Sequence, residues 1–211
     1  DCTGHGVPGA LVSVVCNDAL NQAANAYKLE QPNDVLDKVN TLVKDKFSST
    51  KGKGSDLEVR DGMDISLSKI DVQTREVTFS GAHNSLWILT KHDYGDLTKL
   101  LGSDGDWKMF ELAADRQPIG SSYEAKPFTN RKITLNEGDR MYMFTDGIID
   151  QFGGEAFGKI KKFKRKNFLK LLFSTRHLNM EDQKVQIFAT FEKWKGEEEQ
   201  LDDVTVIGIE L

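Results

Sequence analysis

Three short acidic segments, far apart in the chain, carry the residue types best suited to chemistry. They are Asp1-Cys2-Thr3-Gly4-His5-Gly6, Thr145-Asp146-Gly147 and Asp202-Asp203-Val204-Thr205. Each carboxylate stands at the edge of an apolar run that reads as a strand or a helix. A fold that brought Asp1, Asp146 and Asp202 together would build a nest of carboxylates. Two carboxylates about 4 Å apart repel by roughly 4 kcal/mol at an effective dielectric of 20, so three require cations between them. Hard divalent ions such as Mn²⁺ or Mg²⁺ take oxygen ligands of this kind. The pattern therefore predicts a metal-dependent enzyme. Taken singly, Asp146 could merely begin a turn and Asp202 could cap a strand.

The bulk of the sequence is compatible with that chemistry. A chain of 211 residues is long enough for one domain with its own core, so residues 1–211 are read as a single domain. A 38% hydrophobic and 29% charged composition fits a globular fold. No apolar run reaches the ~20 residues of a membrane-spanning helix, so no membrane contact by this domain is expected. Two cysteines, Cys2 and Cys16, do not make a disulfide framework, which favours a reducing cytoplasmic setting. A net charge of −5 gives no electrostatic case for nucleic acid as a partner.

The elements that must position the acids follow from periodicity. Gly4, Gly6 and Gly9 form a turn, and Pro8 suits the first turn of a helix that runs to about Tyr27. A second, amphipathic helix follows Pro32, with Val35, Leu36, Val39, Leu42, Val43 and Phe47 on its apolar side. Residues 48–55 read as a loop. Alternation at Ile65–Ser68 and Val77–Ser80, then the run Leu86–Leu89, predicts antiparallel strands joined by tight turns at Gln73-Thr74 and Gly81–Asn84. Residues 91–115 read as a polar excursion from the sheet, with room for short strands of its own. A strand over 126–135, the turn Asn136–Asp139 and a buried strand at Met141–Phe144 lead to Thr145-Asp146-Gly147. Helices over 166–173 and 180–194 come next, then an exposed acidic loop at Glu197–Glu199. Val204–Leu211 is apolar on nearly every residue and reads as a central strand buried on both faces. The order of elements suggests an α+β fold of sheet layers with helices outside them.

With these segments placed, the chain resembles the stage II sporulation protein E type of serine phosphatases, a bacterial branch of the metal-dependent protein phosphatase 2C superfamily. Asp1-Cys2-Thr3-Gly4-His5-Gly6 looks like the D-x-x-G-H-G signature. Gly62-Met63-Asp64, Ser80–Asn84, Gln117–Gly120, Gly138-Asp139 with Thr145–Gly147, and Asp202–Thr205 follow in the family's order, covering essentially the whole chain. The resemblance implies an α-β-β-α sandwich of two antiparallel sheets flanked by helices. It also implies hydrolysis of phosphoserine or phosphothreonine on a bacterial regulatory protein of the anti-anti-sigma type. The implied site holds two Mn²⁺ or Mg²⁺ ions that activate a water. The other reading is a phosphatase-like binding module that recognises a signalling partner without turnover.

The family pattern assigns Asp1, the backbone carbonyl of Cys2, Asp146 and Asp202 to metal, with Asp150 a candidate for a third ion. Asp203 is the weaker candidate of the adjacent pair. Gly4, Gly6 and Gly147 would permit close backbone approach at the site. His5 is a candidate general acid for the leaving oxygen, or it orients the metal shell or packs beside it; the acid histidine of the wider superfamily aligns instead with Thr3. His83 reads as a structural hydrogen bonder. The family places a further strand, bearing another metal-binding aspartate, before the signature. The expectation is therefore an N-terminally truncated domain with a weakened metal site and weakened or lost activity. Such domains usually form the C-terminal part of a longer signalling protein behind a sensory module, and a homodimer is compatible with that setting. The basic stretch Lys159–Lys166 reads as a solvated loop, with substrate docking through Lys162 and Arg165 as the functional alternative.

Overall fold

The computed structural model describes residues 1–4, 6–49, 61–120, 125–155 and 158–211. It is an α+β structure of antiparallel sheets and helices, arranged in two compact units. The first comprises Asp1–Leu86 and Ala113–Leu135, the second Trp87–Leu112 and Asn136–Leu211.

The first unit opens with helix α1 (Gly6–Asn21), which widens into a π-helical turn at Gln22–Ala26. Its buried face is Val12, Cys16, Ala19 and Ala23. Leu11, which shares the helical spacing, points instead to solvent. Helix α2 (Pro32–Ser49) places Pro at its first position and buries Val35, Leu36, Val39 and Val43. It extends two residues into the expected loop, whose remainder lies outside the described residues. Polar side chains of α2 hold the chain returning from the sheet. Asn40 Oδ1 accepts from Gly120 N–H (2.9 Å), and Asp37 Oδ1 accepts from Phe128 N–H (2.9 Å). Strands β1 (Ile65–Asp71) and β2 (Glu76–Ala82) form a hairpin, and β6 (Arg131–Thr134) adds to the other side of β2. The two helices close this sheet over a core that includes Met63, Ala82, Ile119 and Phe128.

In the second unit, β3 (Leu86–Thr90), β4 (Lys99–Asp104), β5 (Trp107–Leu112), β7 (Arg140–Phe144) and β10 (Val206–Glu210) form one sheet in the order β10-β7-β3-β5-β4. Three sequence expectations are corrected here. The short strands within residues 91–115 do not leave the sheet, because the β4–β5 hairpin completes it beside β3. Nor is the last strand central: β10 lies at the sheet edge and is only partly buried. A continuous apolar run fits an edge strand as well when a helix covers one face. The turn after Gly81 likewise does not return a hairpin, since β2 and β3 belong to different sheets. Helices α4 (Arg165–Ser174) and α5 (Met180–Lys195) cover the five-stranded sheet. Phe168, Leu172, Ile187, Phe191 and Trp194 pack against Trp87, Leu89, Met109 and Tyr142. Asn179 caps α5 by accepting the Asp182 N–H at 2.8 Å. Among the described residues, no helix is long and apolar enough to cross a membrane.

Candidate metal centre

Two of the acidic segments meet in the second unit. Strand β7 ends in Thr145-Asp146-Gly147, and its antiparallel partner β10 begins just after Asp202-Asp203, so the ladder aligns the two motifs. Thr145 N–H donates to Thr205 O (3.1 Å), Thr205 N–H donates to Thr145 Oγ1 (2.9 Å), and Thr145 Oγ1 donates to Asp203 O (2.7 Å). Gly147 closes the contact. A Cβ there would stand 2.3 Å from the Asp203 carbonyl oxygen, so only glycine lets the two backbones approach this closely. Gly147 also starts the short helix α3 (Gly147–Asp150), whose Ile149 and Asp150 N–H groups bond to Asp146 O.

The result is a convergent pair of carboxylates. Oxygens of Asp146 and Asp202 lie within 4.8 Å of each other. Burial pushes the Asp146 carboxyl above its ordinary value, and the negative charges of Asp202 and Asp150 push it further. The residue as a whole is open to solvent, but the neighbouring charges act in the same direction as burial, so the upward direction stands. No described Lys, Arg or His forms an ion pair with either carboxylate. Asp202 Oδ1 is held by the Asp203 N–H at 2.8 Å. Two hard oxygen donors, mutually repulsive and without a cationic side chain, fit a divalent cation.

The other expected residues fall as follows. Asp150 is paired with Lys162 Nζ at 2.8 Å, where the short strands β8 (Phe152–Gly153) and β9 (Lys161–Lys162) meet. Arg165 Nη2 reaches Glu111 Oε1 at 2.6 Å, and its guanidinium stands 5.1 Å over the Trp87 ring. Both candidate docking cations are thus engaged with their own chain. In the first unit, Asp1 O accepts the Asp64 N–H (2.8 Å) and the Asp1 amino group donates to Asp64 O (3.1 Å). Thr3 N–H donates to Gly62 O at 2.9 Å. Cys2 bridges to Met63, and Met63 bridges to Ile119. The D-x-x-G segment is therefore hydrogen-bonded along the extended Gly62–Asp64 segment. Cys2 and Cys16 are not joined by a disulfide, and Cys2 packs against the core that contains Cys16. A hydrogen bond to Cys2, followed by burial, pushes the Cys16 thiol up. Gly4 and Gly6 adopt positive φ (89° and 64°), as their glycines permit. His5 lies outside the described residues.

Sequence reasoning did not reach one acidic residue beside this segment. Asp64 exchanges both backbone hydrogen bonds with Asp1, and its Oδ2 lies 3.5 Å from His83 Nδ1. His83 sits at φ 59° at the end of β2, its N–H bonded to Asp115 O at 2.9 Å. The only sequence signal for Asp64 was its place in Gly62-Met63-Asp64.

The fold is that of solved phosphatase domains of the protein phosphatase 2C type. The chain belongs to the stage II sporulation protein E (SpoIIE) family, whose model matches residues 1–211. It is similar to the SiaA-PP2C domain of Pseudomonas aeruginosa, with 26% identity and a TM-score of 0.78, covering 100% of this chain and 73% of that one. The PP2C phosphatase domain with a regulatory-domain fragment of the cell fate determinant SpoIIE from Bacillus subtilis matches at 16% identity and TM-score 0.61. That match covers 99% of this chain and 52% of the other. RsbX in complex with magnesium matches at 15% identity and TM-score 0.55, covering 98% and 75%. No curated protein sequence matches the chain.

Proposed function

We propose that this domain is a metal-dependent protein serine/threonine phosphatase that hydrolyses phosphoserine or phosphothreonine on a bacterial regulatory protein of the anti-anti-sigma type. The observation that carries the reading is the Asp146–Asp202 pair, two convergent carboxylates whose repulsion a divalent cation would relieve. Asp1 and the Cys2 carbonyl take their assignment as ligands from the motif match. Asp146 and Asp202 take theirs from the motif and from their convergence. Two Mn²⁺ or Mg²⁺ ions are expected, and the magnesium bound by the structurally similar RsbX supports that ion class. When bound, such ions supply positive charge to the phosphoryl oxygens and make a water a better nucleophile.

The chain's own residues supply position. Thr145 and Gly147 lock Asp146 to the Asp202 segment, and the Asp203 peptide N–H fixes one Asp202 oxygen. The Lys162 ammonium already satisfies Asp150, so a third ion at Asp150 requires that pair to open. We place the domain in the cytoplasm, because two cysteines do not make a disulfide framework. Family membership supports the further assignment to the C-terminal part of a longer signalling protein with an upstream sensory module.

The test is Mn²⁺-dependent release of phosphate from a phosphoserine peptide and from an aryl phosphate, with Mn²⁺ binding measured by calorimetry, for the wild type, Asp146→Asn and Asp202→Asn. Whatever turnover the wild type shows is expected to require metal and to fall at least about 100-fold in either variant. Turnover without metal, or variants that keep both binding and turnover, would overturn the assignment. Mn²⁺ binding without turnover on any phosphoprotein would favour the binding-module reading.

A further inference from the structure

Helix α5 has a second face that the core does not use. Gln183, Ile187, Phe191 and Trp194 are buried, while Phe188 is 65% and Val185 60% exposed. At 3.6 residues per turn, Glu181, Lys184, Val185, Phe188, Glu192 and Lys195 share one stripe centred on Phe188. Beside it lies edge strand β10, with Ile207 47% exposed. Between helix and strand runs an apolar groove of about 430 Å³, walled by Ile187, Phe188 and Phe191 on one side and Val206, Ile207 and Gly208 on the other.

The charges of the stripe are ordered about its apolar centre. Glu181 and Lys195 lie seven residues to either side of Phe188, and Lys184 and Glu192 lie four to either side. If the same helix is laid against itself antiparallel with Phe188 facing Phe188, Glu181 meets Lys195 and Lys184 meets Glu192. By two-fold symmetry this happens twice, giving four attractive pairs and no repulsive one. A parallel arrangement would set each charge against its own like. Within one chain the four residues are already drawn into matched pairs, Glu181–Lys184 at 3.4 Å and Glu192–Lys195 at 3.0 Å. Each half of the stripe therefore presents an ordered minus–plus couple.

We infer that this α5 face is an interaction surface for a second copy of the same chain, paired antiparallel about a two-fold axis at Phe188. The arrangement has the anatomy of an isologous interface. An aromatic anchor sits at the centre, the groove beside it receives the partner's Phe188 ring, and complementary charges lie at the rim and set the register. The inference is independent of the metal centre, because no residue of the stripe belongs to it.

Sedimentation equilibrium of the full chain across the micromolar range is the test, with circular dichroism to confirm that each variant folds. The wild type is expected to show a concentration-dependent mass approaching twice that of the monomer. Phe188→Glu is expected to weaken association at least about tenfold. Lys184→Glu, which sets a glutamate against Glu192, should weaken it, and the double variant Lys184→Glu/Glu192→Lys should recover it. Phe188→Cys should form a covalent dimer under mild oxidation, whereas the equally exposed Val72→Cys should not. A wild type that stays monomeric throughout would overturn the inference. So would a dimer indifferent to Phe188→Glu, or a charge swap that fails to rescue.

Discussion

Gly147→Ala is the sharpest probe of how the acidic pair is held. The backbone torsions at Gly147 lie outside the left-handed region, so alanine fits the local conformation and the perturbation is purely steric. The new Cβ would stand 2.3 Å from the Asp203 oxygen, 2.9 Å from its carbonyl carbon and 3.2 Å from Val204 Cγ2. Ordinary contact begins at 3.4 Å, so the two segments must separate by about 1.1 Å (3.4 − 2.3). The bond from Thr145 Oγ1 to Asp203 O, 2.7 Å long, would then stretch to roughly 3.8 Å and cease to be a hydrogen bond. Overpacking costs ~1–3 kcal/mol and the lost bond ~0.5–1.5 kcal/mol, for a total of about 1.5–4.5 kcal/mol. With a urea m-value of ~2–3 kcal/mol/M, the unfolding midpoint should fall by roughly 1 M. Calorimetric Mn²⁺ affinity of the folded variant should drop at least about tenfold, because Asp146 moves with the turn while Asp202 moves with the strand. A variant with an unchanged midpoint and unchanged Mn²⁺ affinity would refute the argument that close backbone approach at Gly147 sets the carboxylate geometry.

Other consequences follow from the packing. Tyr94 donates a hydrogen bond to buried Asp139, and its hydroxyl is pushed up to about 12, chiefly by burial and then by the Asp139 carboxylate. Its folded value lies above its unfolded one, so its contribution is complete below pH 10 and is lost as pH rises through about 12. Unfolding measured across that window should show a larger loss in the wild type than in Tyr94→Phe, in which Tyr142, likewise raised by burial, remains. Removing Arg165 strands the nearly buried Glu111 carboxylate, so Arg165→Leu should cost ~1–3 kcal/mol in chemical denaturation. The double variant Arg165→Leu/Glu111→Leu should recover much of that loss. Gln183 accepts from Tyr142 Oη (2.9 Å) and donates to Thr175 Oγ1 (3.0 Å). Gln183→Leu leaves both hydroxyls without these partners and should lower stability by ~1–3 kcal/mol, read as a shifted urea midpoint.

The parts of the fold governed by local pattern were readable in advance. Helices α2, α4 and α5 fall within a residue or two of their expected ends, because capping residues and 3.6-residue periodicity act over short range. Strand β10 was misplaced because an apolar run records how hydrophobic a segment is, not how many neighbours it has. The place of the β4–β5 hairpin in the main sheet was missed because Lys99, Lys108 and the glycines around it mask two strands whose burial comes from partners elsewhere in the chain. Asp146 and Asp202 were legible because glycine and threonine flank them in a recognisable order. Asp64 beside His83, and Arg165 across from Glu111, were not: those pairings join residues 19 and 54 positions apart (83 − 64 and 165 − 111), and only the assembled sheets bring them together.

The pairing of β7 with β10 also puts a clock on the candidate centre. Asp202 lies 56 residues after Asp146 (202 − 146), with α4 and α5 in between. At ~5–20 residues per second, a ribosome needs roughly 3–11 s to pass from one to the other. During that interval β7 lacks its β10 neighbour, and the Asp146 turn has neither the Asp203 carbonyl against Gly147 nor the charge that raises its carboxyl. The nascent chain therefore carries half of a cation trap, with no second jaw to retain an ion. Any loading of the candidate centre follows the synthesis of both helices that cover the sheet.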